Sequence, residues 1–221
     1  MAHHVKILNI ANVTHDVKRI TVQKPKDYHF IPGQATEVAV DKDGYRDKKR
    51  PFTFTSLPSN HHLEFTIKIY PDHNGVTDEI GMLEEGDGLI LDDAWGAIEY
   101  KGPGTFIAGG AGVTPFISIL NHLRADQQIN GNRLIFSNKT SDDVILEKSF
   151  RQMLGENFVS TLTQEQKEGH EQRRIDKEFL KNHISDFSQN FYVCGPDAMV
   201  EDINKQLEEL GANADALVFE E

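Results

Sequence analysis

Gly109-Gly110-Ala111-Gly112-Val113-Thr114-Pro115 lies between a short apolar run and a segment whose Phe116, Ile119, Leu120 and Leu123 recur at helical spacing. Glycines let backbone N–H groups approach a ligand, Thr114 suits a helix cap and Pro115 suits the first helical position. The unpaired N–H groups of a helix start favour an anion, so a phosphate is the guest this loop suits. A plain strand-to-helix turn needs the same residues, and the spacing is not GxGxxG. A second loop, Tyr192-Val193-Cys194-Gly195-Pro196-Asp197, opens a helix with Val200, Ile203, Leu207 and Leu210 on one face. Open parallel sheets bind ligands beyond the carboxyl ends of their strands, so the two loops are expected to line one crevice. Alone, Cys194 reads as a small buried hydrophobe, and no local His or Asn motif makes it a nucleophile. The third segment, Arg50-Pro51-Phe52-Thr53-Phe54-Thr55-Ser56, sets a guanidinium, an aromatic face and a hydroxyl within four residues. An ordinary strand with a surface Arg needs the same residues, yet those groups suit a phosphate, a flat ring and a ring nitrogen, a sum that resembles a flavin site.

Two kinds of element must position these segments. Up to about residue 101 apolar residues recur with period two, as in Leu63, Phe65, Ile67 and Ile69, and Pro32-Gly33, Asp43-Gly44 and Pro58-Ser59-Asn60 punctuate the runs. Short alternating strands at 5–10, 17–22, 36–40, 52–55, 63–69 and 88–91 predict an antiparallel six-stranded β-barrel or sandwich, interrupted by one helix over 76–83. From Gly102 onward strand-like and helical runs alternate, with helices expected over 115–123, 144–154 and 197–210 and another after Asp176. That order predicts an α/β domain with a parallel sheet. Gly102-Pro103-Gly104 reads as the hinge, giving domains 1–101 and 102–221, and Gln164 to Arg174 reads as a solvated loop.

Composition removes several alternatives. The 221 residues carry 23 basic and 35 acidic side chains, a net charge of −12 that opposes binding to nucleic acid or to anionic membranes. One cysteine excludes an internal disulfide and a four-thiolate iron-sulfur cluster within this sequence. No secretory leader and no long apolar span is visible, so a cytoplasmic location is expected. His3-His4 and His61-His62 lack HExxH spacing, and no metal site is assigned.

RPFTFTS, HNGVT, GGAGVTPFISIL and YVCGPDAMV, in this order over almost the whole chain, resemble the ferredoxin-NADP reductase superfamily, most closely its compact bacterial flavodoxin or ferredoxin reductases. The resemblance implies a flavin-binding barrel followed by a nicotinamide nucleotide domain. It implies FAD, or FMN, held by Arg50, Pro51, Phe52, Thr53, Ile69, Gly75, Val76 and Thr77, with Arg50 on the phosphate, Phe52 on the isoalloxazine and Thr53 near its N5. NAD(P)H is expected on Gly110, Gly112, Val113 and Thr114, with Cys194, Gly195 and Pro196 beside the nicotinamide. Thr53, Cys194 and the near-terminal carboxylate Glu220 are the expected catalytic residues. The implied enzyme takes electrons from NAD(P)H through bound flavin to a separate acceptor, ferredoxin or flavodoxin. Phe52 stands where the family more often has Tyr, which leaves a free-flavin reductase as the alternative; a non-catalytic flavin or nucleotide sensor is a further one. Arg46, Lys48, Lys49 and Arg50 form a candidate docking cluster for an acidic carrier. Ser137-Asn138-Lys139 marks the strand end where related folds read the ribose. There Lys139 and Arg173-Arg174 oppose Asp142 and Asp143, which leaves NADH against NADPH open.

Overall fold

The computed structural model describes residues 2–71, 75–96 and 98–219. They form two compact units, one of residues 1–97 with 114–122 and the other of 98–113 with 123–221.

The first unit holds strands β1 (His3–Asn12), β2 (Val17–Gln23), β3 (Ala35–Val40), β4 (Arg50–Thr53), β5 (His62–Lys68) and β6 (Gly88–Leu91), with helix α1 (Val76–Gly81) between the last two. The strands run in the order β4-β3-β6-β1-β2-β5, each antiparallel to its neighbour. A bridge between Phe54 and Phe65 brings the two edge strands together, so the six-stranded sheet is a nearly closed barrel. The register of β1 shifts between Ile7 and Asn9, which bends this ten-residue strand so that its first half pairs with β6 and its second with β2. Period-two alternation turns Val5, Ile7, Ile20, Val22, Val38, Val40, Leu63 and Phe65 inward, where Phe54 stacks on Phe30 and packs against Phe65. This unit also takes most of helix α2 (Thr114–Ala125). The buried Gly33 N–H, in the turn before β3, donates to the buried hydroxyl of Ser118 on that helix at 3.1 Å.

The second unit alternates strand and helix: β7 (Gly104–Gly109), β8 (Arg133–Asn138), α3 (Glu147–Leu154), β9 (Phe158–Leu162), α4 (Lys177–His183), β10 (Asn190–Cys194), α5 (Asp197–Glu209) and β11 (Leu217–Phe219). The five strands are parallel in the order β11-β10-β7-β8-β9. β7 is buried along its whole length, as a central parallel strand must be. Phe179 and Leu180 of α4 and Ile203 and Leu207 of α5 cover a core that includes Ile107, Ile135, Phe191 and Val193. The segment entering β7 is tied down from β10: the Tyr192 hydroxyl donates to Gly102 O at 2.7 Å and accepts from Lys101 N at 2.9 Å.

Two helix starts differ from expectation. The helix expected from Val144 begins at Glu147, because Thr140 and Asp143 close a capping box around a 3-10 turn over Ser141–Asp143 and Leu146 takes a left-handed φ of 52°. Thr114 is the first residue of α2 rather than its cap, because the 3-10 turn Gly110–Val113 runs straight into the helix. Among the described residues no helix is long and apolar enough to cross a membrane.

Candidate functional site

Chain order reverses in the parallel sheet between β7 and β10, which makes their shared carboxyl edge the topological switch point. There Ala108 pairs with Cys194, and the two strand-end loops abut through their backbones. A Cβ on Gly112 would lie 2.5 Å from Cys194 O and 2.6 Å from Gly195 Cα; one on Gly195 would lie 3.2 Å from Gly109 N and Cα. Gly109 itself has Met199 behind it, with Sδ 2.4 Å from the position of a Cβ. The glycines at 109, 112 and 195 are therefore consequences of close packing. Gly110 is different: its φ is +53° and a Cβ there would meet nothing within 4 Å, so this bend of the loop faces open space.

Gly110, Gly112, Cys194 and Gly195 thus come together, as expected from the sequence. Val113 is fully buried and Cys194 nearly so, which leaves a ligand mainly their backbones, while Thr114 and Gly195 are half-buried and Pro196 is exposed. The missed contributor is Met199, whose position two residues into a helix carries no sequence signal beyond the apolar face.

In the barrel, Arg50 and Pro51 of β4 are exposed and Phe52 and Thr53 half-buried, with Phe52 packed against the barrel core. The Arg50 guanidinium donates to Lys49 O at 2.8 Å and has no carboxylate partner among the described residues. Three of its basic neighbours are already paired: Lys49 with Asp92 at 2.6 Å, Arg46 with Asp41 and Asp43, and Lys42 with the buried carboxylate of Glu79. The Arg46 guanidinium and the His4 ring hold the Asp41 carboxyl below the usual range, so that end of the cluster is internally neutralised. Of the basic residues at 46–50, Lys48 and Arg50 are the two without a carboxylate partner among the described residues.

Ile69 follows β5, and its Cγ2 lies 2.8 Å from where a Cβ on Gly81 would stand, so the end of α1 packs on it. At the other end of α1, Gly75 precedes the helix, Val76 is buried and Thr77 half-buried. Glu220, and the His73 and Asn74 of the HNGVT segment, lie outside the described residues.

At the edge formed by β8, Asn138 is 5% exposed and neither atom of its side-chain amide has a hydrogen-bond partner among the described residues. A buried amide in that state is uncommon in folded proteins and calls for a hydrogen-bond partner.

Residues 2–83 match the family described as FAD-binding domain, and residues 106–205 match the family described as Oxidoreductase NAD-binding domain. The chain is 23% identical over 214 residues to the ferredoxin--NAD(P)(+) reductase component of the naphthalene 1,2-dioxygenase system of Pseudomonas putida, covering 93% of this chain and 64% of that protein. It is 27% identical over 213 residues to the anthranilate 1,2-dioxygenase electron transfer component of Acinetobacter baylyi, covering 90% of this chain and 60% of that one. The chain therefore spans less than two thirds of the length of these curated relatives. In fold it is similar to a ferredoxin NADP+ reductase from Neisseria gonorrhoeae crystallised with bound FAD and NADP, at a TM-score of 0.85 and 21% identity, covering 99% of this chain and 97% of that one. An FAD-binding match is thus followed by an NAD-binding match, on a nearly closed antiparallel barrel and a five-stranded parallel sheet that share the fold of that ferredoxin NADP+ reductase.

Proposed function

We propose that this chain is an NAD(P)H-dependent flavoprotein reductase of the cytoplasm. In this reading residues 1–101 hold FAD, residues 102–221 hold NAD(P)H, and electrons leave to a separate acceptor protein such as ferredoxin or flavodoxin. The observation that carries it is the switch point of the parallel sheet, where two backbone-packed loops leave the bend at Gly110 open. Open backbone at such an edge suits the pyrophosphate of a dinucleotide. The Arg50 guanidinium, with no carboxylate partner among the described residues, and the half-buried Phe52 ring likewise suit a phosphate and a flat ring in the barrel.

A bound flavin accepts the two electrons of a reduced nicotinamide together and releases them singly, which links hydride chemistry to one-electron carriers. The residues of the chain bind, orient and exclude water. Arg50 neutralises flavin phosphate, Phe52 and Ile69 offer apolar surface to the ring system, and Pro51 stiffens the strand between them. Thr53 offers a hydroxyl to the ring edge, and Gly75, Val76 and Thr77 form the second phosphate segment. Gly110, Gly112, Val113 and Thr114 carry the dinucleotide phosphates on backbone groups. Cys194, Gly195 and Pro196 flank the nicotinamide, Cys194 by position and packing rather than as a nucleophile. The Pseudomonas putida and Acinetobacter baylyi relatives, described as a ferredoxin--NAD(P)(+) reductase component and an electron transfer component, support delivery to a separate component.

The test is purification without added flavin, mass spectrometry of the released chromophore, and anaerobic mixing with reduced nicotinamide dinucleotides. The reading expects FAD retained through gel filtration and bleached by the nucleotide. Loss of flavin on the column, with turnover only when flavin is added back, favours a free-flavin reductase; no nucleotide oxidation under either condition favours a sensor.

A further inference from the structure

In an open sheet carrying a dinucleotide, the adenosine ribose is read at the carboxyl end of the strand beside the phosphate loop. Here that strand is β8, paired with β7 so that Ser137 stands opposite Gly109. Just beyond it, the backbone N–H groups of Thr140 and Ser141 open the 3-10 turn Ser141–Asp143. N–H groups in such turns are natural anion donors. Both are already taken by carboxylates of the chain. Asp143 Oδ2 accepts from Thr140 N and from Thr140 Oγ1, each at 2.8 Å. Glu165 Oε2, reaching back from the loop after β9, accepts from Ser141 N at 2.6 Å. The Ser141 N–H holds the Glu165 carboxyl below its ordinary range, so it is an anion at neutral pH.

Of the nearby positive charges, Lys139 is exposed at the same strand end and Arg174 on the same loop, and the others are engaged. Lys167 Nζ donates to Ser141 Oγ at 2.8 Å, and Arg173 is held by Asp176 at 2.9 Å and Glu178 at 3.2 Å. The Glu165 loop is also fixed in place: Thr163 N donates to Asn138 O and Gln164 N to Lys139 O, both at 2.9 Å. Independently of these carboxylates, the unpartnered Asn138 amide marks the same strand end as a place where a polar group is wanted.

We infer, resting on the dinucleotide reading above, that Glu165 together with Asp143 determines coenzyme choice, admitting a ribose with a free 2′-hydroxyl and rejecting a 2′-phosphate. A hydroxyl can donate to a carboxylate. A phosphomonoester brings close to two negative charges and only acceptor oxygens against two carboxylates whose donors are already used. The substrate is therefore NADH rather than NADPH.

The test measures direct binding by calorimetry, which does not depend on flavin or turnover, with adenosine 5′-diphosphate and adenosine 2′,5′-bisphosphate as probes. The NADH-to-NADPH ratio of kcat/KM is measured in parallel. Wild type should favour the 5′-diphosphate by at least about tenfold, a difference of about 1.4 kcal/mol, and NADH by a similar factor. Glu165→Gln keeps the shape and an acceptor oxygen but removes the charge, and both ratios should fall about fivefold or more. Glu168→Gln removes the same charge from an exposed position of the same loop and should leave both ratios at the wild-type value. Equal affinity of wild type for the two probes, an unchanged ratio in Glu165→Gln, or an equal fall in Glu168→Gln overturns the inference while the nucleotide site stands. Failure of wild type to bind either probe and to oxidise either nucleotide removes the nucleotide reading itself, and the inference with it.

Discussion

Arg50 and Gly112 look equally ordinary as letters in a sequence, yet their surroundings make opposite demands. Arg50 stands exposed with its guanidinium unclaimed by any described carboxylate, beside three basic residues that are each ion-paired. Removing a charge-assisted contact to phosphate costs about 1.5–3 kcal/mol, so Arg50→Ala should weaken flavin binding by roughly tenfold or more, read as flavin retained per chain through dialysis. Undiminished retention would take the phosphate away from Arg50. A Cβ on Gly112 meets the backbone of Cys194 and Gly195 at 2.5 and 2.6 Å, atoms that no rotamer change can clear. Gly112→Ala should therefore lose about 1–3 kcal/mol of stability, as overpacked sites do. Gly110→Ala meets no atom but forces a left-handed residue, at about 1–2 kcal/mol, and sets its methyl where the loop is open. Denaturant unfolding combined with adenosine 5′-diphosphate titration separates the two: both variants lose stability, and Gly110→Ala adds a loss of affinity because its methyl occupies the open bend. Motif types were legible at this scale because loop chemistry is local. Which of several adjacent cations remains unpaired was not, because Asp92 and Glu79 lie more than thirty positions along the chain from the lysines they hold.

The loop between β9 and α4 shows the same limit among elements. Gln164 to Arg174 reads as solvated, yet in the fold Leu162 N donates to Glu171 O, Arg151 holds Gly169 O at 2.7 Å, and the His170 ring is almost buried between Ser160 and Glu147. Nothing local announces contacts that reach back ten to twenty-six residues. The strands and the last helix were legible because each carries its own period of two or 3.6. The start of α3 was not, since Val144 and Ile145 are buried apolar residues that read as helical, whereas Val144 is extended after the capping box and Ile145 lies in a turn. Burial lowers the His170 imidazole below its ordinary value of 6.5; Arg151 and Lys167 add to this, while Glu147 and Glu165 oppose it. A histidine whose folded pKa is depressed contributes stability that is complete above its unfolded value and lost as the pH falls through the folded one. Thermal unfolding followed from pH 8 to pH 5 should show the melting temperature dropping below about pH 6.5, the unfolded value. His170→Gln should flatten that drop. An identical pH profile in the variant would mean that the ring is not the titrating group.

At the scale of the whole molecule, a net charge of −12 repels acidic electron carriers at long range, so approach needs a local patch of opposite sign. Of the basic residues at 42–50, Lys48 lies 4.5 Å over the Tyr45 ring and is exposed, without a carboxylate partner among the described residues. Lys48→Glu should slow reduction of an acidic carrier several-fold at low salt, and the difference should shrink as the ionic strength approaches 0.15 M and beyond. Ferricyanide reduction should change little, and carrier kinetics equal to wild type at every salt concentration would move docking elsewhere. The strand-to-strand order of the barrel hides a matter of timing. Gly33 N–H is buried in the turn before β3, and its acceptor, Ser118, is encoded 85 residues later. A ribosome adding about 5–20 residues each second needs roughly 4–17 s to travel that distance. For the last part of it, roughly 1–5 s after Leu91 is added, all six barrel strands have been synthesised while one buried donor in the β3 turn waits for a helix that the ribosome has not yet made. The first half of this chain is thus born earlier than it can be finished, and a nascent chain halted shortly before Ser118 would present a barrel with that turn unsecured.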